Sequence, residues 1–450
     1  MKKLFGTDGI RGKANSYPMT PEIAFRLGRA IAYYCSKDSS EGKIIIGKDT
    51  RLSGYMLEHA LVSGITSMGA AALLVGPMPT PAMSFLVQSM RADAAVVISA
   101  SHNRYDDNGL KLFSSSGTKF PDETEEELEE LIVGQKIDQI RAYGAGIGKA
   151  YRITDAAGRY IVFAKSTFPR SLSLKGLKLS IDCANGASYQ IAPTIFGELG
   201  ADVSAYHIAP NGININDNCG ALYPENVAKK VVDEHANVGV AFDGDGDRAI
   251  FSDELGNVID GDKVLMILAE QMKNLGRLAN NTVVATIMSN LGLEVGLREK
   301  GIELIRTDVG DRNVAVAMRK IGSNLGGEQS GHIILSEFLP TGDGIITALA
   351  LFAAMKSTGK KLSELTHEFH KFPQKVVSVA VKEKRPIEKM KRFGEAIENA
   401  KRMLEKGRII FRYSGTENKA RIMIESDSSD LVEEISNSLL YAIRQEGICV

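Results

Sequence analysis

Paired cysteines, net charge and long apolar runs are all scarce in this 450-residue chain. The four cysteines, Cys35, Cys183, Cys219 and Cys449, lie far apart and form no C-x-x-C pair. That spacing suggests neither a zinc knuckle nor a disulfide framework, and it fits a reducing cytoplasm. Lys and Arg number 54 against 55 Asp and Glu, so there is no general attraction to nucleic acid or to an anionic membrane. Any charged partner must be met locally. The longest apolar stretch, "IITALALFAAM" (345–355), is too short to cross a bilayer, and the start "MKKLFGTDGIRG" has two lysines but no apolar h-region. A cytoplasmic location, with neither secretion nor membrane insertion, is therefore the expectation.

What the chain does have is length and a recurring pattern. At about 100–150 residues per domain, three or four domains are expected. "KIIIGKDT" (43–50) reads as a buried strand ending in a turn, followed by a helix closed at Gly69 and the strand "AAALLVG". The same order recurs from "LKLSIDCANGAS" (177–188) through "IAPTIFGELG" to "ADVSAYH", and from "NTVVATIMSN" (281–290) through "LEVGLREKG" to "IELIRTDVG". Strand, helix, strand is the crossover unit of α/β sheets, so three related α/β domains are predicted. After "HKFPQK" (370–375), the alternating "VVSVAV", an amphipathic helix near 386–404, a strand "GRIIFRYSGTENKARIMIES" and a helix from Asp430 predict a smaller α+β domain. The boundaries so drawn are 1–150, 151–252, 253–368 and 372–450. At the other end, Thr20 and Pro21 suit the start of a helix with Ile23, Leu27, Ile31 and Tyr34 on one face.

Each α/β copy runs on into a segment of its own, and chemistry in such sheets lies beyond the carboxyl ends of strands. The second copy ends in "VGVAFDGDGDRAIF", with Asp243, Asp245 and Asp247 on alternate positions. Together with Glu254 they match positions 1, 3, 5 and 12 of a calcium-binding EF-hand. Position 6, which needs glycine, is however Arg248, and the flanks read as strands. A solvated acidic turn is the plainer alternative. Three carboxylates around Gly244 and Gly246 suit a hard cation better, and oxygen-only ligation favours Mg²⁺ with a position open to a phosphate oxygen.

The first copy ends in "ISASHN" and "NGLKLF". Ser101 can carry a phosphoryl group, and Lys111 can neutralise it or act as a base if its pKa is depressed. Most Ser-His pairs are turn residues, and no G-x-S-x-G hydrolase motif accompanies this one. The third copy ends in "GGEQSGH", where an extended loop would turn Glu328, Ser330 and His332 to one side and offer them to sugar hydroxyls; an ordinary polar turn is the alternative. In the last domain "RYSGTENKAR" offers Arg412, Ser414, the Gly415 backbone, Thr416 and Arg421 as a phosphate cradle, against a plain hairpin turn.

In order and spacing, "FGTDGIRG", "GKDTRLSG", "SASHN", "DGDGDR", "GEQSGH" and "RYSGTENKAR" resemble the phosphohexomutase superfamily along nearly the whole chain. "GRYIVFAKSTFP" (158–169) and "NGININDNCG" (211–220) are similar, within it, to the bacterial phosphoglucosamine mutases. The resemblance implies three related α/β domains with mixed sheets and a smaller C-terminal α+β domain around a central cleft. It implies that Ser101 is the phosphoserine, with His102, Lys111, Arg11 and Arg248 in catalytic places. Asp243, Asp245 and Asp247 with Ser101 would hold one Mg²⁺ per subunit. Glu328, Ser330 and His332 would contact the sugar, and Arg412, Ser414, Gly415, Thr416 and Arg421 the substrate phosphate. Glucosamine 1,6-bisphosphate would be the intermediate. A phosphosugar is then the expected partner, with no nucleic acid and no membrane, and a homodimer stays open. A phosphomannomutase/phosphoglucomutase specificity, an Mg²⁺-dependent sugar phosphatase and a non-catalytic sugar-phosphate binder are the alternatives. Where the family usually has proline after its SASHN asparagine and after the first arginine of its phosphate loop, this chain has Arg104 and Tyr413.

Overall fold

The computed structural model describes residues 4–6, 8–36, 42–413 and 418–450, and four sheets organise them. The first contains β1 (Ile10–Lys13), β2 (Lys43–Lys48), β3 (Ala71–Pro77), β4 (Ala94–Ile98), β5 (Asp107–Ser114) and β6 (Ala150–Arg152), in the order β1-β5-β4-β2-β3-β6. The second contains β7 (Lys178–Asp182), β8 (Asp202–Tyr206), β9 (Val238–Phe242), β10 (Ala249–Ser252) and β11 (Val258–Ile259), in the order β11-β10-β9-β7-β8. In the third, β12 (Thr282–Thr286), β13 (Glu303–Thr307), β14 (Leu325–Gly327) and β15 (Ile333–Leu335) follow the order β13-β12-β14-β15. β16 (Gln374–Ala380), β17 (Gly407–Tyr413) and β18 (Lys419–Ser426) form an antiparallel fourth sheet with β18 in the middle.

The first three sheets share one four-strand kernel. Its central strand (β2, β7 or β12) has a parallel neighbour on each side. The later of those neighbours (β4, β9 or β14) turns straight back into an antiparallel partner (β5, β10 or β15). The loops carrying Ser101, the three aspartates and Glu328 are these three turn-backs, so they occupy one equivalent place in each kernel. β4 (AAVVI) and β9 (VGVAF) are buried along their whole length, as strands covered on both faces must be.

Local chemistry explains the helix that opens the chain. Thr20 Oγ1 accepts the Ile23 N–H and Pro21 sits in the first turn, while Ile23, Leu27 and Ile31 enter the core with Tyr34 half-buried. This helix lies tightly on Ser53–Thr66: a side chain on Gly28 would come within 2.5 Å of Leu61 O, and one on Gly64 within 2.1 Å of Phe25 O. No helix among the described residues is long and apolar enough to cross a membrane.

One sequence expectation changes. "GRIIFRYSGTENKARIMIES" is two strands, β17 and β18, and not one; residues 414–417 between them lie outside the described residues. The chain also divides into two compact units, Met1–Met288 with Gly301–His367, and Ser289–Lys300 with Glu368–Val450. The helix Leu291–Glu299 falls in the second of these units. Its anchors explain why: the Leu291 N–H donates to the Glu425 carboxylate at 2.8 Å, and Asn290 Nδ2 donates to Phe372 O at 3.0 Å.

Candidate active site

Ser101 follows β4 by three residues and is buried, with a left-handed φ of +52° that is uncommon for a residue bearing a Cβ. Its Oγ donates to Asp243 Oδ2 at 2.7 Å and lies 3.4 Å from His102 Nδ1. Its backbone N–H donates to Ser99 Oγ at 2.9 Å, and that hydroxyl donates to Asp49 Oδ2 at 2.6 Å. The sequence places Ser101 and Asp243 142 positions apart; the fold puts them in contact.

Asp243, Asp245 and Asp247 are buried and present carboxylate oxygens within 4.8 Å of one another. The turn-back needs its glycines: Gly246 has φ +72°, and a side chain on Gly244 would strike Asn216 Nδ2 at 2.6 Å and Ser101 O at 2.7 Å. Asp245 Oδ1 and Asp247 Oδ1 are buried without a hydrogen-bond partner. Burial first, then Asp247 and Asp245, holds the Asp243 carboxyl well above the usual carboxylate range. For Asp247 the outcome is opposite: burial raises it, but Lys111, His332 and Arg248 bring it well below that range. The cluster is thus short of positive charge at the carboxylate that meets Ser101. An all-oxygen donor set with orphaned oxygens fits a hard cation, and the hairpin strands on either side exclude the helix-flanked EF-hand.

Lys111, on β5, is buried and donates to Asp245 Oδ2 at 2.7 Å, with Asp8 Oδ2 at 3.4 Å and Asp247 Oδ2 at 3.7 Å. Burial alone would lower its pKa, but Asp245, Asp8 and Asp247 together drive it above the ordinary lysine value. Those charges favour the neutralising role over the base role, which needs a depressed pKa. Arg11 pairs with Asp8, and its Nη1 reaches Ala100 O at 3.5 Å, next to Ser101. The Arg248 N–H donates to Asp243 Oδ1 at 3.2 Å, and its guanidinium lies 3.8 Å from Asp247. Burial, then Arg248 and Arg11, pushes His102 down to about 4, so its imidazole is neutral at physiological pH.

The sugar-loop expectation needs one correction. Residues 328–332 form a tight turn rather than an extended loop: the Glu328 N–H donates to His332 O at 2.9 Å, the Gly331 N–H to Glu328 O at 3.0 Å, and Gly331 has φ +89°. Glu328 is half-buried and accepts the Gly310 N–H at 3.1 Å, while Ser330 is exposed with its hydroxyl 3.4 Å from Glu328 Oε2. His332 is separated from them. It is buried, accepts the Gly342 N–H at Nε2 (3.2 Å) and turns Nδ1 to Asp247 Oδ2 at 3.6 Å, so it links the third turn-back to the aspartates.

In the C-terminal unit Arg412 and Arg421 are directly opposed across β17 and β18, which puts both guanidinium stems on one face of the hairpin. Ser414, Gly415 and Thr416 lie outside the described residues. Tyr413, where the family usually has proline, exchanges hydrogen bonds with the Arg385 backbone, donating to its O at 2.6 Å and accepting its N–H at 3.1 Å, and packs edge-on against Phe411.

Sequence reasoning assigned nothing to Asp8, Thr80 or Lys119. Thr80 Oγ1 donates to Asp245 Oδ2 at 2.6 Å, and Lys119 bridges Asp8 and Asp311. Asp8 lay inside the quoted "FGTDGIRG", which was a usable signal; Thr80 and Lys119 carried none. A second cluster, Asp182, His207 and Cys219, is a structural brace. Asp182 Oδ1 accepts the Ala184 N–H at 2.8 Å, and Oδ2 accepts the Gly220 N–H and meets His207 Nδ1, both at 3.0 Å.

Comparison with known proteins decides the family. The four domain patterns described as phosphoglucomutase/phosphomannomutase, alpha/beta/alpha domains I, II and III and C-terminal domain match residues 2–138, 159–256, 260–372 and 377–440. Phosphoglucosamine mutase of Syntrophotalea carbinolica is 52% identical over 442 residues, covering 97% of each chain, and that of Syntrophus aciditrophicus is 51% identical over 99% of this chain and 100% of the relative. The chain belongs to the phosphohexomutase family, in its phosphoglucosamine mutase branch. It is an isomerase of the phosphomutase kind. Solved structures of this phosphohexomutase fold agree with it. A phosphoglucomutase/phosphomannomutase family protein from Burkholderia thailandensis superposes with TM-score 0.81 at 22% identity, covering 99% of this chain and 97% of its own. N-acetylphosphoglucosamine mutase from Aspergillus fumigatus, solved with GlcNAc-6P and magnesium, gives 0.70 at 18% identity, covering 99% and 96%.

Proposed function

We propose that this phosphohexomutase interconverts glucosamine 6-phosphate and glucosamine 1-phosphate in the cytoplasm, through phosphorylated Ser101 and glucosamine 1,6-bisphosphate. The observation that carries the reading is the 2.7 Å contact between Ser101 Oγ and Asp243, inside a buried three-carboxylate cluster with orphaned oxygens. In the first transfer a sugar hydroxyl oxygen bonds to phosphorus, the bond to Ser101 Oγ breaks, and the hydroxyl proton in net replaces the phosphoryl group on the serine. The bisphosphate turns over, and its other phosphate returns to Ser101 by the same exchange. Mg²⁺ held by Asp243, Asp245, Asp247 and Ser101 would supply Lewis-acid stabilisation of the charge spread over the phosphoryl oxygens.

The chain's own residues do the rest. Lys111, fixed as an ammonium, balances the aspartates and keeps positive potential beside the serine. Arg11 and Arg248 extend that potential, and neutral His102 adds a polar group without a competing charge. Glu328 and Ser330 accept and donate to sugar hydroxyls from the third turn-back. Arg412 and Arg421, with Ser414, Gly415 and Thr416, grip the phosphate that is not being transferred. One loop each comes from 1–150, 151–252 and 253–368, and the clamp from 372–450, so the domain division follows the chemistry.

Ser101→Ala tests this reading, because it deletes one hydroxyl from a buried loop. Turnover should vanish, intact mass should lose the phosphoryl increment, and circular dichroism should stay unchanged. Near-wild-type turnover in the variant refutes the phosphoserine. Release of inorganic phosphate in step with substrate loss would identify a phosphatase instead, and equal or better turnover of glucose or mannose phosphates would move the specificity to phosphomannomutase/phosphoglucomutase.

A further inference from the structure

The arginine of the turn "GKDTRLSG" has no role in the reading so far, yet it is heavily bonded to the serine loop. Arg51 is fully buried. Its Nε donates to Asp49 Oδ2 at 2.8 Å, Nη1 donates to Asp107 O at 3.1 Å and to Arg104 O, and Nη2 donates to Ser101 O at 3.0 Å and Asn103 O at 2.7 Å. Three backbone carbonyls of one loop and that of the first residue of β5 therefore converge on one guanidinium, whose planar fork is the side chain able to serve them together.

A second donor reaches the same loop from the second kernel. Asn216 Nδ2 donates to Ser101 O and to Asn103 O, both at 2.9 Å. Its own place is set by its backbone N–H on Ala184 O at 2.9 Å. The Arg51 turn is tied to that kernel as well: Thr50 Oγ1 donates to Asn185 O at 2.6 Å, and the Leu52 N–H to Gly212 O at 2.8 Å. Ser101 O is thus held from both kernels at the residue whose φ is +52°. A left-handed conformation is disfavoured for any residue with a Cβ and persists where its surroundings impose it.

We propose that Arg51 and Asn216 are positioning residues: together they hold the Ser101 loop in its left-handed form, so that Oγ faces the aspartates and the phosphoryl group it carries is aligned for transfer. The inference rests on the phosphoserine reading. Neither side chain touches the reacting atoms, so their effect falls on the transfer step and not on sugar binding.

Asn216→Gly is the cleaner test. Asn216 has φ +56°, which glycine adopts without strain, so the change removes the amide and spares the backbone. Arg51→Lys keeps a cation beside Asp49 but cannot bond four carbonyls. Both variants are compared with wild type at saturating Mg²⁺, with kcat taken per folded, Ser101-phosphorylated molecule by intact mass. Expected are a kcat loss of about tenfold or more in Asn216→Gly and a larger one in Arg51→Lys, with KM for glucosamine 6-phosphate within about twofold. Inorganic phosphate released per turnover should rise, because a misaligned phosphoserine loses more of its phosphate to water. Should Arg51→Lys fail to fold, Asn216→Gly decides alone. Wild-type kcat per phosphorylated molecule in Asn216→Gly overturns the inference, as does a loss confined to KM. Activity in Ser101→Ala would instead remove the phosphoserine reading itself, so the two failures are distinct.

Discussion

Replacing Lys111 with methionine keeps most of the side-chain volume and deletes a buried cation from among three carboxylates. With an effective dielectric of about 20, attraction to Asp245 at 2.7 Å is about 6 kcal/mol, and the contacts at 3.4 Å to Asp8 and 3.7 Å to Asp247 are each about 4–5 kcal/mol. Desolvation of the ammonium offsets much of that sum. Removing one partner from a buried ion pair nets a loss of about 3–5 kcal/mol, because Asp245 and Asp247 stay buried with less compensating charge. The loss should depend on metal. A dication bound by Asp243, Asp245 and Asp247 supplies the missing positive charge, so Mg²⁺ should stabilise Lys111→Met more than wild type. The assay is urea unfolding of both proteins, followed by circular dichroism, once with chelator and once with saturating Mg²⁺. A destabilisation below about 1 kcal/mol in chelator would refute the buried-cation argument. Equal Mg²⁺ stabilisation of variant and wild type would refute the link between Lys111 and the metal loop. Turnover should fall in either buffer, since the positive field beside Ser101 is reduced.

Single Asp243→Ala, Asp245→Ala and Asp247→Ala variants should each lose Mg²⁺ affinity by titration calorimetry, with activity only partly restored by excess Mg²⁺; activity that survives chelation of the wild-type enzyme would count against the metal. Glu328→Ala should depress turnover about equally in the forward and reverse directions, by the 1–3 kcal/mol typical of a contact to a charged acceptor, and a one-directional effect would mean that it reads one end of the sugar. Arg412→Lys should lower kcat/KM for the phosphosugar by about tenfold or more, roughly 1.4 kcal/mol, because an ammonium cannot make the paired contacts of a guanidinium. Phosphate on Ser101 and Mg²⁺ affinity should be unchanged in that variant, and a parallel loss of Mg²⁺ binding would show that Arg412 is no phosphate clamp.

The features legible in the sequence are those whose cause is local. Alternating or continuous apolar runs ending in Gly/Asp turns marked the crossover units, because strand burial and turn geometry are written into neighbouring residues. The aspartates after Phe242 marked a group able to hold a cation for the same reason, since their alternate spacing beside a buried strand is local. Thr20 and Pro21 announced the helix Pro21–Cys35, since a cap bonds within its own turn. β17 and β18 read in sequence as one strand because the residues between them are assigned to phosphate binding.

What only the tertiary structure decided is the chemistry of each group, because burial and charge partners are supplied by distant segments. Lys111 reads in sequence as either a cation or a base; Asp245, 134 positions away, favours the charged form. His332 shares a motif with Glu328 and Ser330, but packing turns it to Asp247. Arg51 and Asn216 look like ordinary turn residues until the fold brings four carbonyls of the serine loop and β5 to one and two of them to the other. Sequence spacing sets which residues can share a turn; the dielectric and the field that decide what they do come from whatever the fold packs against them.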